Sequence, residues 1–363
     1  MPPSTSSPIK LAILDDYQNI ATPLYESLRP QFEVDAFPET LPSFAHSSTS
    51  DETKQQIISR LKPYTVISSM RERTPFPSTL LEQLPNLKLL LTTGNRNAAI
   101  DMEAAKRLGI RVTGALGTSS LKKTKGPDST TQHTVALLLA VARNLVADHN
   151  SIQAGKWQTG FATGLSGKVF ATLGLGRLGG NVAKIMHQSF GMEILCWSSS
   201  LTQETADSKA KDLGLPAEDE EGNKTFKVVT KEELFKQADI LSVHYVLSDR
   251  SRGIVGSKDL ALMKPSAFLV NTSRGPLVDE NALFEVLEKG AITGAAVDVF
   301  EFEPLRQDSR WRSDGWGKNG KSRVLVTPHT GYVEREYLEA WYKEQVEILQ
   351  LWLQGEDLPN VLA

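Results

Sequence analysis

The sequence holds one cysteine, Cys196, in 363 residues. No intrachain disulfide can form, and a metal cage built on cysteine is excluded. Histidine is scarce too: there are six, none in an H-E-x-x-H arrangement, so no metal is expected. No G-x-S-x-G turn occurs, which leaves a hydrolase of that type without its nucleophile. No apolar run approaches the length of a membrane span. Basic charge is not in excess either, since 40 Lys and Arg against 43 Asp and Glu leave −3. That balance offers no field for nucleic acid or an anionic membrane, and neither is expected as a partner. A few focused charges still suffice to bind a small anion. The opening "MPPSTSSPIK" lacks the basic and apolar regions of a signal peptide, so the cytoplasm is the expected location.

What is present suits a globular protein with real cores: 40% hydrophobic and 23% charged residues, over a length that allows two or three domains. Apolar runs resembling strands alternate with helical patterns from "IKLAILDDY", through "QFEVDAF", "TVISSM" and "KLLLTTG", to "IDMEAAKRLGIRVTG". A second series starts at "GKVFATLGLG". It continues through "MEILCWS", "KVV", "ILSVHYV", "AFLVNTS", "AITGAAVDVF" and "RVLVTPH". Such alternation predicts parallel sheets. Between the two series lie a basic, breaker-rich connection at 117–129 and one long apolar helix over 130–155. A helix over 334–355 closes the chain. The irregular stretch 305–322 is too long for a plain turn and is expected to be a binding loop or lid.

"GLGRLGG" places Gly174, Gly176 and Gly179 in G-x-G-x-x-G spacing between a strand and a helix, the context in which that pattern holds a dinucleotide pyrophosphate. The next strand ends in "WSSSLT". A carboxylate that grips the adenosine ribose usually stands there, and Ser198 and Ser199 replace it. NAD(H) and NADP(H) therefore both stay open, with a lean toward NADPH being accepted.

Three polar residues follow strand-like segments: Arg274 after "FLVNTS", Glu303 after "AAVDVFEF" and His329 after "RVLVTP". The C-terminal ends of parallel strands share one edge, so distant residues can converge there. An arginine clamps a carboxylate with two hydrogen bonds, a histidine carries a proton near neutral pH, and an acid orients the imidazole. Reduction of an α-keto acid by hydride needs these parts. By spacing alone, a structural ion network gives the same pattern. Arg274 beside Asp279 and Glu280 illustrates that reading. His133, on the apolar helix, reads as a packed, hydrogen-bonded histidine.

With "LPNLKLLLTTG", "GLGRLGG", "NTSRGPLVDENALFEVLEKG", "GAAVDVFEFEPL" and "VLVTPHTG" in order, the chain resembles the D-isomer-specific 2-hydroxyacid dehydrogenases over nearly its whole length. The resemblance implies an α/β fold of two Rossmann-like, doubly wound domains with parallel sheets and a cleft between them. Residues 1–120 plus 331–363 would bind substrate, and 121–330 would bind the dinucleotide. It implies a homodimer, with the helix near 130–145 in the contact. It also implies Arg274, Glu303 and His329 as catalytic residues, and Arg71 and Gly94 as substrate residues beside Arg274 and His329. The cofactor set would be Gly174, Gly176, Arg177, Leu178, Gly179, Ser198, Ser199, His244, Thr272 and Asp298. The activity implied is reduction of a small 2-keto acid to a D-2-hydroxy acid. Two alternatives are a formate dehydrogenase, against which Glu303 argues because that activity pairs its histidine with glutamine, and a dinucleotide-sensing corepressor. The chain departs from the family pattern at Arg96, Ser198, Val246 and the "TQH" of 131–133.

Overall fold

The computed structural model describes residues 7–117 and 126–363. Most of the expected connection at 117–129 lies outside the described residues. The chain forms two compact units. One comprises Met1–Lys125, Phe302–Pro304 and Val333–Ala363, the other Gly126–Glu301 and Leu305–Tyr332.

The first unit is built on a parallel sheet of β1 (Ile9–Leu14), β2 (Phe32–Phe37), β3 (Val66–Ser69), β4 (Leu89–Thr93) and β5 (Arg111–Ala115), in the order β2-β1-β3-β4-β5. "LLLTT" of β4 is buried along its whole length, as a parallel strand covered on both faces should be. Helix Asp51–Leu61 is among its covers, with Ser50 capping the N-terminus by accepting from Thr53 N–H. The C-terminal helix Arg335–Gln354 returns to this unit. Its Gln345 is fully buried and accepts from the Tyr25 and Ser68 hydroxyls, each at 2.5 Å. The adjacent residue, Glu344, accepts from the N–H groups of Leu116 and Gly117.

The second unit holds β6 (Val169–Leu173), β7 (Glu193–Trp197), β8 (Lys227–Val228), β9 (Ile240–Val243), β10 (Phe268–Asn271), β11 (Gly294–Val297) and β12 (Arg323–Val326). All are parallel, in the order β12-β11-β10-β9-β6-β7-β8. Both units are thus Rossmann-like, doubly wound α/β folds. In the second, the strand order reverses at β6, between β9 and β7, where such sheets bind ligands.

One expectation needs correction. The long helix over 130–155 is two helices, Ser129–Ala142 and Leu145–Gln153. Asn144 breaks it by taking the left-handed conformation, φ 58°. Its side-chain amide donates to Asp148 at 3.2 Å and Thr159 at 2.8 Å, replacing helical bonds with local ones. The stretch 305–322 forms a clasp over helix Glu280–Glu288. Trp311 and Trp316 pack on Phe284 with ring centroids at 4.5 and 6.2 Å, and the Arg310 guanidinium lies 4.1 Å above the same ring. Two indoles and a cation around one phenyl ring give this segment a hydrophobic anchor of its own.

Candidate active site

The register of the second sheet aligns a row of residues. Val326, Val297, Asn271, Val243, Leu173 and Trp197 are successive partners across six strands. The next residue on each is Thr327, Asp298, Thr272, His244, Gly174 and Ser198. At about 4.8 Å per strand, this row runs about 24 Å along the C-terminal edge of the sheet. Five of the ten expected cofactor residues stand in it.

The glycine turn is shaped for a ligand. Gly174 has φ 102°, and a Cβ there would lie 2.6 Å from the His244 carbonyl oxygen. A Cβ on Gly179 would meet the Gly174 carbonyl oxygen at 2.1 Å, so helix and turn touch backbone to backbone. Gly176 differs: a Cβ there would meet nothing within 4 Å. It also serves as N-cap of helix Arg177–Phe190 with no side-chain cap. Open space before uncapped N–H groups fits a pyrophosphate. Leu178 is half-buried. The Arg177 guanidinium is exposed and pairs with Asp128, the N-cap of helix Ser129–Ala142.

At the other end of the row, the Ser199 hydroxyl and N–H both meet the Tyr245 hydroxyl, at 2.8 and 3.2 Å. The Tyr245 ring stacks on Trp197. Ser198 carries no charge toward this end. His244 is half-buried and bonded to Ser242 at 2.8 Å, and burial pushes its pKa down to about 4. At neutral pH it is an uncharged imidazole.

Asp298 is 1% exposed. It accepts from the Thr327 hydroxyl at 2.6 Å and from the N–H groups of Thr330 and Gly331 at 2.9 and 3.1 Å; His133 Nε2 lies at 3.2 Å. Burial, the largest influence, works to raise its pKa. The bonds from His133, Thr327 and Thr330 together outweigh it and hold the carboxyl below the usual range. Asp298 is thereby a pin that fixes the β12–His329 turn to β11. Thr272 is tied similarly, its hydroxyl 2.7 Å from that of Thr134. His133 is the packed, hydrogen-bonded residue expected of it, but its partnership with Asp298 leaves no trace in local sequence.

Arg274 follows β10 in extended backbone, φ −148°, and its Nη1 donates to the Ser273 carbonyl at 2.8 Å. Gly275 comes next because nothing larger fits: a Cβ there would lie 2.0 Å from the Phe300 carbonyl. His329 is half-buried and left-handed, φ 53°, a costly conformation for a residue with a Cβ. Its ring stands edge-on to Tyr332. Arg274, Asp298 and His329 thus lie at the ends of three adjacent strands of one sheet edge. Glu303 lies in the segment Phe302–Pro304, which groups with the other unit.

In the first unit, Arg71 and Gly94 follow β3 and β4 and lie together. Arg71 is left-handed at φ 50°, Gly94 at φ 90°, and a Cβ on Gly94 would sit 2.6 Å from Arg71 Nη1. Asn97 stitches the two loops by donating to the Arg71 carbonyl at 2.7 Å and the Thr92 hydroxyl at 2.8 Å. Among the described residues, no group of three or more His, Cys, Asp or Glu is placed to hold a metal. No described helix is long and apolar enough to cross a membrane.

Known proteins are similar to this chain in sequence and fold. The family model for "D-isomer specific 2-hydroxyacid dehydrogenase, NAD binding domain" matches residues 135–331. A D-3-phosphoglycerate dehydrogenase of Methanocaldococcus jannaschii is 32% identical over 85% of this chain, which spans 54% of that protein's length. A glyoxylate reductase of Thermococcus litoralis is 34% identical over 78% of this chain and 79% of its own. A solved phosphoglycerate oxidoreductase from Vibrio cholerae is 34% identical with a TM-score of 0.77, covering 96% of this chain and 99% of its own. The chain belongs to the D-isomer-specific 2-hydroxyacid dehydrogenase family, and residues 135–331 are its dinucleotide-binding domain.

Proposed function

We propose that this protein reduces a small 2-keto acid to the D-2-hydroxy acid with NAD(P)H. The observation that carries the reading is the register-aligned row running from the glycine turn to Asp298 and the His329 turn. It supports a dinucleotide lying along one sheet edge, with its reactive end near Arg274 and His329.

The chemistry follows from the side chains. Arg274 grips the substrate carboxylate and faces the negative charge that develops on the carbonyl oxygen. His329 gives that oxygen its proton. Glu303 aims the imidazole and favours its charged form. Arg71 and the Gly94 loop bound the substrate. The bound dinucleotide supplies the hydride; Gly174, Gly176 and Gly179 would hold its pyrophosphate, with Arg177 and Leu178 beside them. Thr272, His244 and Asp298 would line its path. Ser198 and Ser199 would meet the adenosine ribose, and with no carboxylate there NADPH should serve at least comparably to NADH. In this reading residues 1–120 plus 331–363 carry substrate recognition, 121–330 carry the dinucleotide, and the enzyme works as a homodimer. Among relatives, the glyoxylate reductase of T. litoralis points toward small, compact keto acids. A panel of keto acids from glyoxylate and hydroxypyruvate to branched and aromatic ones, each with NADH and NADPH, tests the reading. Turnover with at least one supports it, and dinucleotide binding with no turnover on any would favour a sensing role instead.

A further inference from the structure

Glu303 stands beyond β11 on a stretch with no helix or strand. A side chain that must aim an imidazole needs a rigid seat. Three contacts hold the backbone just before it. The Phe300 carbonyl presses on Gly275, the residue after Arg274. The buried Phe300 ring meets Trp311 edge-on, with centroids 5.8 Å apart. Glu280 Oε2 accepts from Trp311 Nε1 at 2.8 Å and from the Glu301 N–H at 3.4 Å. Arg252 pairs with the Glu301 side chain at 3.1 Å on the solvent side. Trp311 thus reaches the segment twice, once by its ring and once through Glu280. It is 3% exposed, and its indole N–H can only donate, so the Glu280 carboxylate answers a need of the buried ring.

We propose that Trp311, acting through Glu280 and Phe300, is a positioning residue for Glu303. It fixes the 300–301 backbone that leads into Glu303. The inference rests on the reading in which Glu303 serves His329. It gives the clasp at 305–322 a function beyond covering helix Glu280–Glu288. A clasp that only filled space would affect stability and leave the chemistry alone.

The test compares pH profiles of kcat/KM for keto-acid reduction in full-length variants. Trp311→Phe keeps a ring against Phe284 and Phe300 and deletes the donor. It should lower kcat about three- to tenfold, the cost of one hydrogen bond. The basic limb of the profile should move to lower pH, as in Glu303→Gln but by less, with dinucleotide affinity unchanged. Glu280→Ala removes the bridge from the other side with Trp311 intact and should do the same, so a folding defect in one variant does not decide the matter. Glu280→Gln retains an acceptor oxygen and should restore the profile. In the Glu303→Gln background, Trp311→Phe should add nothing, since its effect passes through Glu303. If Glu303→Gln moves the profile but Trp311→Phe and Glu280→Ala only lower the melting temperature, the positioning role is wrong while the catalytic reading stands. If Glu303→Gln leaves the profile unmoved, the catalytic reading falls and this inference falls with it.

Discussion

Glycines 176 and 179 sit three residues apart and should fail in opposite ways. Gly176→Ala puts a methyl into open space, so the melting temperature should hold while KM for the dinucleotide rises. Gly179→Ala drives a Cβ to 2.1 Å from the Gly174 carbonyl oxygen. It should cost about 1–3 kcal/mol of stability, the usual range for overpacking. Thermal melts beside dinucleotide titrations separate the two; a Gly176→Ala protein with unchanged KM would mean that no pyrophosphate lies there. At Ser198, replacement by Asp should shift preference toward NADH, because a carboxylate repels a 2′-phosphate. Asp298 makes a pH prediction. Its folded pKa is depressed, so its contribution to stability is present above the unfolded carboxylate range and is lost as pH falls through the folded pKa. His244 acts in the same direction. Between about pH 6.5 and about 4 the unfolded chain takes up a proton that the folded imidazole refuses. Urea midpoints should therefore fall steadily on acidification, and Asp298→Asn should flatten the most acidic part of that slope. An unchanged slope would mean that Asp298 is not held as a buried carboxylate.

At the scale of elements, the described strands were legible in sequence, most clearly those covered on both faces, because these are short, apolar runs bounded by breakers. Gly174 was legible from its glycine spacing and Ser198 from its strand end, whereas His244, Thr272 and Asp298 were named through the family resemblance before the register aligned them. Helices were harder to read. "DETKQQIISRL" buries few of its residues and so carries a faint pattern, yet it forms helix Asp51–Leu61. Asn144 was hidden inside an apolar run, since only its bonds to Asp148 and Thr159 make the left-handed turn favourable. Asn144→Ala should cost about 1 kcal/mol or more through loss of that conformation and those bonds, with melting temperature as the measure. Tyr245, His133 and Trp311 matter through partners far along the chain, and no local pattern reports such partners. The apolar centre of helix Ser129–Ala142, which the resemblance places in a subunit contact, is covered in part by its own sheet: Leu137, Leu138, Val141 and Ala142 are buried there.

At the scale of the whole molecule, a run of exposed apolar side chains among the described residues lies farther along. Leu145, Val146, Ile152, Trp157 and Phe161 are exposed within one stretch, Trp157 at 73% and Phe161 at 93%. Side chains of that size seldom stand so open without a partner. If the protein is the proposed homodimer, Trp157→Ser with Phe161→Ser should shift light scattering at micromolar concentration from twice 39.9 kDa toward the single-chain mass. A wild-type chain already at the single-chain mass would refute the dimer. The first unit brings Arg71 and Gly94 together, and the second lines up the row from Ser198 to Thr327 with Arg274 and His329. The central claim is that these parts reduce a keto acid, with His329 as the proton donor. The most direct test is steady-state oxidation of NADPH with glyoxylate, wild type against His329→Ala, with dinucleotide affinity measured in both. The account predicts a kcat lower by about two to four powers of ten in the variant, with dinucleotide binding intact. Near-equal kcat in the two proteins would contradict it.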